Sequence, residues 1–486
     1  MHRPLSTSNA TQHHYHKFPR QIGEIAHRYN VEELHLSFTQ GSWRSEQWGP
    51  PTISGHGAGA EVRAKITEDA DEDWRGLTNA LSGVFCASLN FIDATNTNSP
   101  QLSFKGMRHG YLPKENVCTE NLTPWVKQLP CQGMAGLGAL LNPYRLYNMH
   151  FHSMSVDLAP IAVDGKEVLG YKQTLAVVVN PKTFGLEDEW TLAQLVDRDV
   201  KAACAAAERS TIRVLQGGGS DRVVLEPKPE SEDVVDGYRF GVYDAKKQGG
   251  KLENIKFSVD TGAAARQRAA QPAIVAHRYV TGHGGSSGGV ESTIVNNSDK
   301  VVHVSYMDTL PWYLRLYMHT LTVESESLVD GTASKLKPSS MHYKPAVDRG
   351  RPALLELEMD LPAQSRVTLR YGFDKGFLKY SEHPPDANRG FNIGPAIVSY
   401  TPIDTDLACA VGAMLEGTGA RKCTARVYTE LFLASLPTPD FSMPYNVITF
   451  TCTILALFFG RMFNLLTRDF VVLKETKDAG QSKKDE

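Results

Sequence analysis

Three features of the sequence predict a mainly β protein with one C-terminal transmembrane helix. Short segments of alternating polar and apolar residues recur along the chain, helical periodicity is sparse, and one long apolar run lies near the C-terminus. Strands and helices do not alternate regularly, which argues against a doubly wound nucleotide-binding sheet. We expect two β-sandwich-like antiparallel domains, both lumenal, followed by the membrane span.

The chain begins with a polar stretch, residues 1–15, for which the sequence predicts disorder. Residues 1–20 contain no apolar segment of the kind that a signal peptide needs. Two explanations are open: the N-terminus is incomplete or processed, or the C-terminal span alone drives membrane insertion. Three histidines, His13, His14 and His16, resemble a metal clasp, but their polar surroundings provide no fixed second shell, so no metal site is predicted.

The first lumenal domain is expected over residues 16–225. Polar and apolar residues alternate in Glu33–Thr39 (ELHLSFT), and Thr174–Val179 is rich in β-formers, so both predict strands. A short helix is expected at Asp73–Leu81. A longer helix is expected near residues 186–209, which start with acidic residues and end Ala-rich. Its apolar residues at helical spacing are Leu192, Leu195, Val196 and Val200.

The second lumenal domain is expected over residues 226–440, after a polar linker or surface loop at Gly217–Asp236. The alternating runs Leu355–Leu361 and Arg366–Tyr371 flank a turn, and this pattern predicts a hairpin-like pair. A flexible loop is expected at Gly282–Gly289 (GHGGSSGG). Further strands are expected at Ser292–Val295, Val301–Tyr306 and Thr424–Leu433.

The apolar run Tyr445–Leu466 predicts a transmembrane helix of roughly 33 Å, enough for a hydrocarbon core of about 30 Å. A buried core helix is the alternative, and the charge of Arg461 favours it. Arg461 lies near the end of the run, however, where its guanidinium can reach the headgroups. A cleavable lipid-anchor signal would normally end the chain, whereas residues 467–486 follow here, so a permanent span is favoured.

Basic residues on the two flanks of the span predict its orientation. Residues 425–444 carry only Arg426, so residues 467–486 form a cytosolic tail and the preceding residues lie in the lumen or outside the cell. The basic residues of the tail are Arg468, Lys474, Lys477, Lys483 and Lys484.

Composition excludes several function classes. The chain has 486 residues, 41% hydrophobic and 22% charged, with a net charge of −3, so nucleic-acid binding is not indicated. Seven cysteines are too few for a disulfide-dense scaffold, and Cys452 lies within the span. Cys409 could pair with Cys423, and Cys118 with Cys131, while an intermolecular bond remains open.

Three asparagines lie in N-x-[ST] sequences and are glycosylation candidates, which agrees with a lumenal location. They are Asn9, Asn121 and Asn296.

No catalytic motif was found. HExxH and paired CxxC are absent, and Gly282–Gly289 lacks the Lys-Ser or Lys-Thr ending of a phosphate-binding loop. Cys86 or Cys118 with a histidine would make a nucleophile pair, but neither has neighbours that suggest activation. The residues therefore predict a binding or scaffold protein without a cofactor.

The segment Asp308–Leu321 (DTLPWYLRLYMHTL) has an unusual density of aromatic residues. Core packing and contact with a partner or membrane are both open for it. The residues in question are Trp312, Tyr313, Arg315 and Tyr317.

Several long motifs in one order carry a resemblance to a known family, and together they extend from about His16 to Arg468. The sequence resembles the PIG-T subunit family of the glycosylphosphatidylinositol (GPI) transamidase complex. The motifs lie at Glu33–Arg44, Leu77–Thr97, Val117–Trp125, Asp308–Leu321, Leu436–Val447 and Asn464–Arg468.

This resemblance implies a non-catalytic, scaffolding subunit of an endoplasmic-reticulum membrane complex that attaches a GPI anchor to the C-terminus of proproteins. It implies a β-rich lumenal part, a cysteine-protease-like K subunit that carries the catalytic Cys and His, and other multispan subunits. The GPI lipid and the proprotein would be substrates of the complex. It also implies that Cys118, in the motif VCTENLTPW, is disulfide-linked to the K subunit; an internal bond to Cys131 is the alternative.

Arg461 departs from the resemblance, because the span of the family is generally uncharged. It would contact a lipid headgroup or the span of another subunit. The alternative function for the whole chain is a free-standing type I membrane ectodomain for adhesion or ligand binding.

Overall fold

The computed structural model describes residues 2–4, 17–49, 51, 55–67, 70–113, 115–163, 166–187, 189–200, 202–215, 223–235, 238–245, 255–259, 272–282, 285–384, 386–402, 409, 411, 423–440 and 442–468. The chain divides into two compact units. The first comprises Met1–Lys379 and Pro384–Pro437, and the second Tyr380–His383 and Thr438–Glu486.

Strands are the main secondary structure. They are β1 His2–Pro4, β2 Val31–Gln40, β3 Gly59–Ile66, β4 Thr97–Asn98, β5 Arg108–Leu112, β6 Phe151–Val163, β7 Lys166–Val178, β8 Glu189–Thr191, β9 Thr211–Leu215, β10 Val223–Glu226, β11 Ser231–Val235, β12 Tyr238–Asp244, β13 Lys256–Val259, β14 Ile274–Thr281, β15 Ser287–Asn296, β16 Val302–Leu310, β17 Leu314–Ser327, β18 Ala333–Lys335, β19 Ser340–Lys344, β20 Ala353–Leu361, β21 Ser365–Lys375, β22 Phe391–Ile393, β23 Ile397–Tyr400, β24 Ala425–Tyr428 and β25 Phe432–Ala434.

Helices are fewer and mostly short. The α-helices are α1 Arg20–Arg28, α2 Ser45–Trp48, α3 Ala70–Phe85, α4 Thr119–Lys127, α5 Pro143–Leu146, α6 Leu192–Val196 and α7 Ser442–Thr467. Single 3₁₀ turns lie at Ser88–Phe91, Gly136–Leu140, Pro181–Phe184, Tyr380–Glu382 and Ala387–Arg389.

The mainly β class and the antiparallel sheets are confirmed. The N-terminal part of the first unit contains a seven-stranded sheet in the order β1-β7-β6-β2-β3-β5-β4. Its apolar face packs against α1, α3 and α4, so the second layer here is helical. Strand β2 shows why: Leu34, Leu36 and Phe38 alternate onto the helix-covered face and are buried there. The expected strand Glu33–Thr39 is therefore confirmed.

The C-terminal part of the first unit is a sandwich of two five-stranded sheets, β14-β15-β21-β17-β18 and β19-β20-β16-β23-β24. One core joins their inner faces, with Ile294 and Leu369 from one sheet and Val304 and Leu357 from the other. The expected loop at 282–289 is wrong for its last three residues, because Ser287–Gly289 belong to β15, which pairs with β14 as a hairpin.

The expected hairpin between Leu355–Leu361 and Arg366–Tyr371 is wrong, although both runs are strands. β20 pairs with β16 and β19, whereas β21 pairs with β15 and β17 in the other sheet. The turn between them therefore crosses from one sheet of the sandwich to the other. Both runs alternate, and alternation alone identifies a strand without identifying its neighbour.

The expected linker at Gly217–Asp236 is contradicted where it is described, because β10 and β11 lie within it. Two small sheets, β10-β13-β8 and β11-β12-β9, pair strands from both sides of residue 225. The structure therefore gives no support to a domain boundary at that position.

The expected helix near 186–209 is also wrong. Residues 189–191 form β8, and the helix α6 ends after five residues. Its C-cap is Asp197, whose φ of 54° lies in the left-handed region and stops the helix. The helical spacing of Leu192, Leu195 and Val196 is real, but it does not continue.

Three other segments differ in extent or structure from what the sequence predicts. The helix expected at Asp73–Leu81 lies within the longer α3, and the run Thr424–Leu433 is divided into β24 and β25. Within the stretch expected to be disordered, His2–Pro4 pairs with β7 as an edge strand.

The C-terminal helix α7 agrees with the expected membrane span. In the described part of the chain it is the one helix long and apolar enough to cross a bilayer. Its 26 residues correspond to about 39 Å. Most of the expected cytosolic tail, residues 469–486, lies outside the described residues.

Candidate functional site

Cys118 lies at the start of α4, where the backbone and one tyrosine hold it in place. Its N–H donates to Asn121 Oδ1 at 2.9 Å, and its carbonyl oxygen accepts a hydrogen bond from the Tyr147 hydroxyl. The thiol is free and its residue is half-buried. A fixed backbone with a free, half-buried cysteine is a suitable geometry for a covalent bond to another chain.

The internal Cys118–Cys131 alternative is wrong, because Cys131 is bonded to Cys204 with their Cα atoms 5.9 Å apart. The same two segments are joined by a hydrogen bond from Gly136 N–H to the Ala202 carbonyl. Cys409 and Cys423 are bonded, with Cα atoms 5.7 Å apart, which is one of the pairings left open by the sequence.

Two of the three glycosylation candidates are contradicted by burial. The Asn121 side-chain amide donates to the carbonyl oxygens of Phe85 and Cys86, each at 3.0 Å. Asn296 is fully buried, and its amide donates to three carbonyl oxygens. A glycan is attached at this nitrogen, so neither residue can carry one in this fold. Asn9 lies outside the described residues.

The aromatic segment between β16 and β17 is mainly a packing element. Trp312 is buried, and the Arg349 guanidinium lies 4.8 Å from its ring centroid. Tyr313 packs against Phe391 with ring centroids 5.1 Å apart, and burial raises the pKa of Tyr313. The expected partner contact is therefore wrong for Trp312, which offers almost no surface.

Arg315 and Tyr317 differ from their neighbours because they face solvent. Arg315 forms an ion pair with Asp348 at 3.1 Å, and the Tyr317 hydroxyl donates to Asp374 at 2.7 Å. Arg461 is exposed on α7. Contact of these three residues with a partner or membrane remains a prediction.

A buried charge cluster joins the seven-stranded sheet to the sandwich. Glu61 on β3 accepts hydrogen bonds from His109 Nε2 at 3.0 Å and from the Tyr428 hydroxyl at 2.8 Å. Arg63 Nε lies 3.5 Å from Glu61 Oε1, and the Arg63 guanidinium lies 4.6 Å from the Phe104 ring centroid. This polar face of the sheet is thus covered by β24 of the sandwich.

Opposing effects set the charge states of this cluster. Burial alone would raise the pKa of Glu61, but Arg63 and His109 outweigh it and hold that pKa well below its usual range. Burial and the Glu61 charge raise the pKa of Tyr428. Burial lowers the pKa of Arg426 to about 10, with a further contribution from Arg63. Glu61 is therefore ionised and Tyr428 is a neutral donor at pH 7.

A second contact between the same parts of the chain centres on Glu356 of β20, which is fully buried. Its carboxylate accepts three backbone N–H groups, from Gln101 at 2.8 Å, Leu102 at 3.2 Å and Ser103 at 2.9 Å. A small apolar core lies beside it, formed by Phe104, Met307, Leu354 and Ile397.

A third polar cluster lies inside the sandwich. Arg278, with no exposed side-chain surface, pairs with Asp308 and donates to the Gly394 carbonyl oxygen. The hydroxyls of Tyr306 and Tyr371 both donate to Asp308 Oδ2. These contacts link β14, β16 and β21 inside the sandwich.

One pocket, with a cavity volume of about 50 Å³, is lined by residues of the first sheet, of the segment after β2 and of β24, including Phe151, Trp43 and Tyr428. His56 also lines it, and burial lowers the pKa of that imidazole to about 4, so it is neutral at pH 7. Among the described residues, no group of three His, Cys, Asp or Glu side chains is arranged to hold a metal ion.

Sequence reasoning missed the three polar clusters and the role of Cys204. Glu61 and Arg63 lie two residues apart on β3, so they share one face of the sheet. This alternation was the only feature of the sequence that could have indicated the first cluster. That pattern is also the pattern of a solvated face.

Comparison with known proteins agrees with the resemblance. The family described as "Gpi16 subunit, GPI transamidase component" matches residues 2–185 and 180–486. The chain is 38% identical to mouse "GPI-anchor transamidase component PIGT" and 37% identical to the human protein of that name, covering 97% of this chain and 86% of each relative. It is 32% identical to "GPI transamidase component PIG-T homolog" of Schizosaccharomyces pombe, covering 93% of this chain and 82% of that protein. The free-standing ectodomain alternative gains no support from these relatives. The chain therefore belongs to the Gpi16 family of GPI transamidase components.

Proposed function

We propose that this protein is a non-catalytic, scaffolding subunit of GPI transamidase, the complex that attaches a GPI anchor to the C-terminus of proproteins. Its relatives are named as components of that transamidase, which supports the subunit role. The catalytic Cys and His reside on a cysteine-protease-like K subunit, and other multispan subunits complete the complex. The GPI lipid and the proprotein are substrates of the complex.

The observation that carries this proposal is the free, half-buried thiol of Cys118. Cys131, its one internal partner considered from sequence, is occupied by Cys204. We therefore propose that Cys118 forms the disulfide to the K subunit. A covalent bond keeps the two chains at high effective concentration.

The protein resides in the endoplasmic-reticulum membrane as a single-pass type I protein with its first unit in the lumen. The two internal disulfides support this orientation, because disulfides persist in oxidising compartments. The basic residues after the span support it as well, since Lys and Arg are retained on the cytosolic side.

Non-reducing electrophoresis of the full-length protein in native membranes tests the proposal. We expect a heterodimer band in the wild type that Cys118→Ser abolishes. Cys452→Ser is the matched control, because it removes the free thiol of the C-terminal helix and should leave the band intact. A monomer-only pattern in the wild type contradicts the disulfide, and detergent purification without multispan partners contradicts the subunit role.

A further inference from the structure

Two of the free thiols lie on one surface of the first unit. Cys86 directly follows α3 and is exposed, and Cys118 directly precedes α4 and is half-buried. They are 32 positions apart in the sequence, and nothing in their spacing suggested that they are neighbours. The other four cysteines of this unit are already in disulfides.

One side chain spans the gap between the two cysteines. The Asn121 amide donates to the Cys86 carbonyl oxygen at 3.0 Å, while its Oδ1 accepts from the Cys118 N–H at 2.9 Å. The two backbone atoms are therefore at most about 8 Å apart, given the width of a carboxamide. The adjoining residues are tied as well, because the Ser88 N–H donates to Glu115 Oε1 at 2.8 Å.

We propose that Cys86 is the exchange thiol for Cys118, so that the two residues form an internal disulfide whenever Cys118 is not bonded to another chain. The Cys86 thiolate attacks Cys118 Sγ of a mixed disulfide. The Cys86–Cys118 bond forms as the Cys118–partner bond breaks, and the partner leaves as a thiolate. No electrons are gained or lost overall, so the exchange requires no further oxidant or reductant.

The reverse reaction joins the chains. A partner thiolate attacks Cys118 Sγ of the internal disulfide and releases Cys86 as the leaving thiolate. Cys86 suits this role because it is exposed, so its thiol can lose and regain a proton by exchange with solvent while Cys118 is bonded to the partner. This step rests on the proposed intersubunit bond at Cys118, but the internal exchange itself can be tested without any partner chain.

Closing the internal bond requires the two Cα atoms to come within about 7 Å of each other. The Asn121 bridge already holds the two backbones close to this range. The thiol pair therefore has two states, one reduced and one with the disulfide formed.

Oxidised glutathione serves as the test reagent for the purified full-length protein in detergent. Attack on either thiol gives a protein–glutathione mixed disulfide, which the neighbouring thiol then displaces. We expect a Cys86–Cys118 cross-linked peptide in non-reducing mass spectrometry of the wild type. In Cys86→Ser, glutathione should remain on Cys118 at a level about tenfold higher than in the wild type, because the intramolecular competitor is gone.

Cys452→Ser is the matched control and should give the wild-type cross-link. The proposal is overturned if the wild type carries glutathione on both Cys86 and Cys118 without a cross-link between them. The intersubunit bond is tested separately. A heterodimer band that survives Cys118→Ser contradicts the proposed intersubunit bond, but it does not change how the glutathione result is interpreted.

Discussion

The Tyr428 hydroxyl lies 2.8 Å from the Glu61 carboxylate, although the two residues are 367 positions apart. Tyr428 belongs to the last strand of one sandwich sheet, and Glu61 belongs to the middle of the seven-stranded sheet. Glu61 is buried and Tyr428 is half-buried, so the hydroxyl is a partner for a carboxylate that has little access to water. This hydrogen bond is a direct link between the two largest β structures of the first unit.

Removing the Tyr428 hydroxyl should destabilise the first unit. Tyr428→Phe leaves the aromatic ring in place but takes one donor from a buried, ionised Glu61, at a cost of about 1 to 3 kcal/mol. The measurement is the midpoint of denaturant unfolding of the full-length protein in detergent, followed by tryptophan fluorescence.

Tyr279→Phe is the matched control for this variant. Tyr279 on β14 is 46% exposed, and its hydroxyl bonds to the uncharged Thr293 of β15, so its removal should shift the midpoint little. Equal shifts of the unfolding midpoint in the two variants would show that the hydrogen bond to Glu61 contributes no more stability than the hydrogen bond of Tyr279.

Glu356 provides a second test of the same connection. Glu356→Gln replaces one carboxylate oxygen with an NH₂ group that faces backbone donors instead of accepting from them. We expect a loss of about 1 to 3 kcal/mol, because one or two of the three N–H groups lose an acceptor. The same unfolding midpoint measures it.

Glu358→Gln lies two residues along the same strand and is half-buried, so it controls for the loss of a charge on β20. If both variants unfold at the wild-type midpoint, the three N–H contacts contribute no net stability.

The sequence predicted strands better than it predicted their partners. Alternation in Glu33–Thr39 and Leu355–Leu361 identified strands, because period-2 burial is a local property of the chain. Which sheet each strand joins depends on contacts between distant residues. β20 and β21 therefore looked like a hairpin although they belong to different sheets.

The sequence also failed to predict that the polar face of the first sheet is buried. Glu61 and Arg63 read as solvated residues, yet they are buried against β24. Only the position of the sandwich distinguishes these two environments, and a sequence pattern does not contain that information. The apolar span Tyr445–Leu466 was predictable because burial in a bilayer depends on composition and length alone.

His152 should make stability depend on pH. It is buried on β6, and burial lowers the pKa of its imidazole to about 4, against a usual value of 6.5. Between these values the unfolded chain binds a proton that the folded chain does not, so stability falls as the pH is lowered through this window. The loss attributable to His152 is about 2 kcal/mol at pH 5 relative to pH 7.

His152→Gln removes this titration, so the variant should lose less stability than the wild type between pH 7 and pH 5. His150→Gln is the matched control, because His150 is exposed and should keep the wild-type slope. The slope is measured from unfolding midpoints at several pH values. An unchanged slope in His152→Gln would contradict the assignment.

The Cys131–Cys204 disulfide should act on stability and leave assembly intact. It closes a loop of 73 positions, and Cys131→Ser should cost about 2 to 4 kcal/mol through the larger entropy of the unfolded chain. The heterodimer band on non-reducing gels should persist in this variant, in contrast to Cys118→Ser. Loss of the band with an unchanged unfolding midpoint would instead place Cys131 in the intersubunit bond.

Arg461 should matter for assembly more than for insertion into the membrane. It lies about 9 Å along the axis from Thr467, the last residue of α7, so its guanidinium can reach the headgroup region without a partner. Arg461→Leu makes the span more apolar, and resistance to carbonate extraction should therefore be unchanged. If Arg461 contacts the span of another subunit, co-purification of the multispan subunits should fall severalfold in Arg461→Leu and recover in Arg461→Lys, because an intramembrane charge is retained where it has a partner. Arg468→Leu is the matched control, since Arg468 follows the last residue of α7 and lies outside the apolar run. Wild-type co-purification by Arg461→Leu would leave the headgroup as the sole contact of this charge.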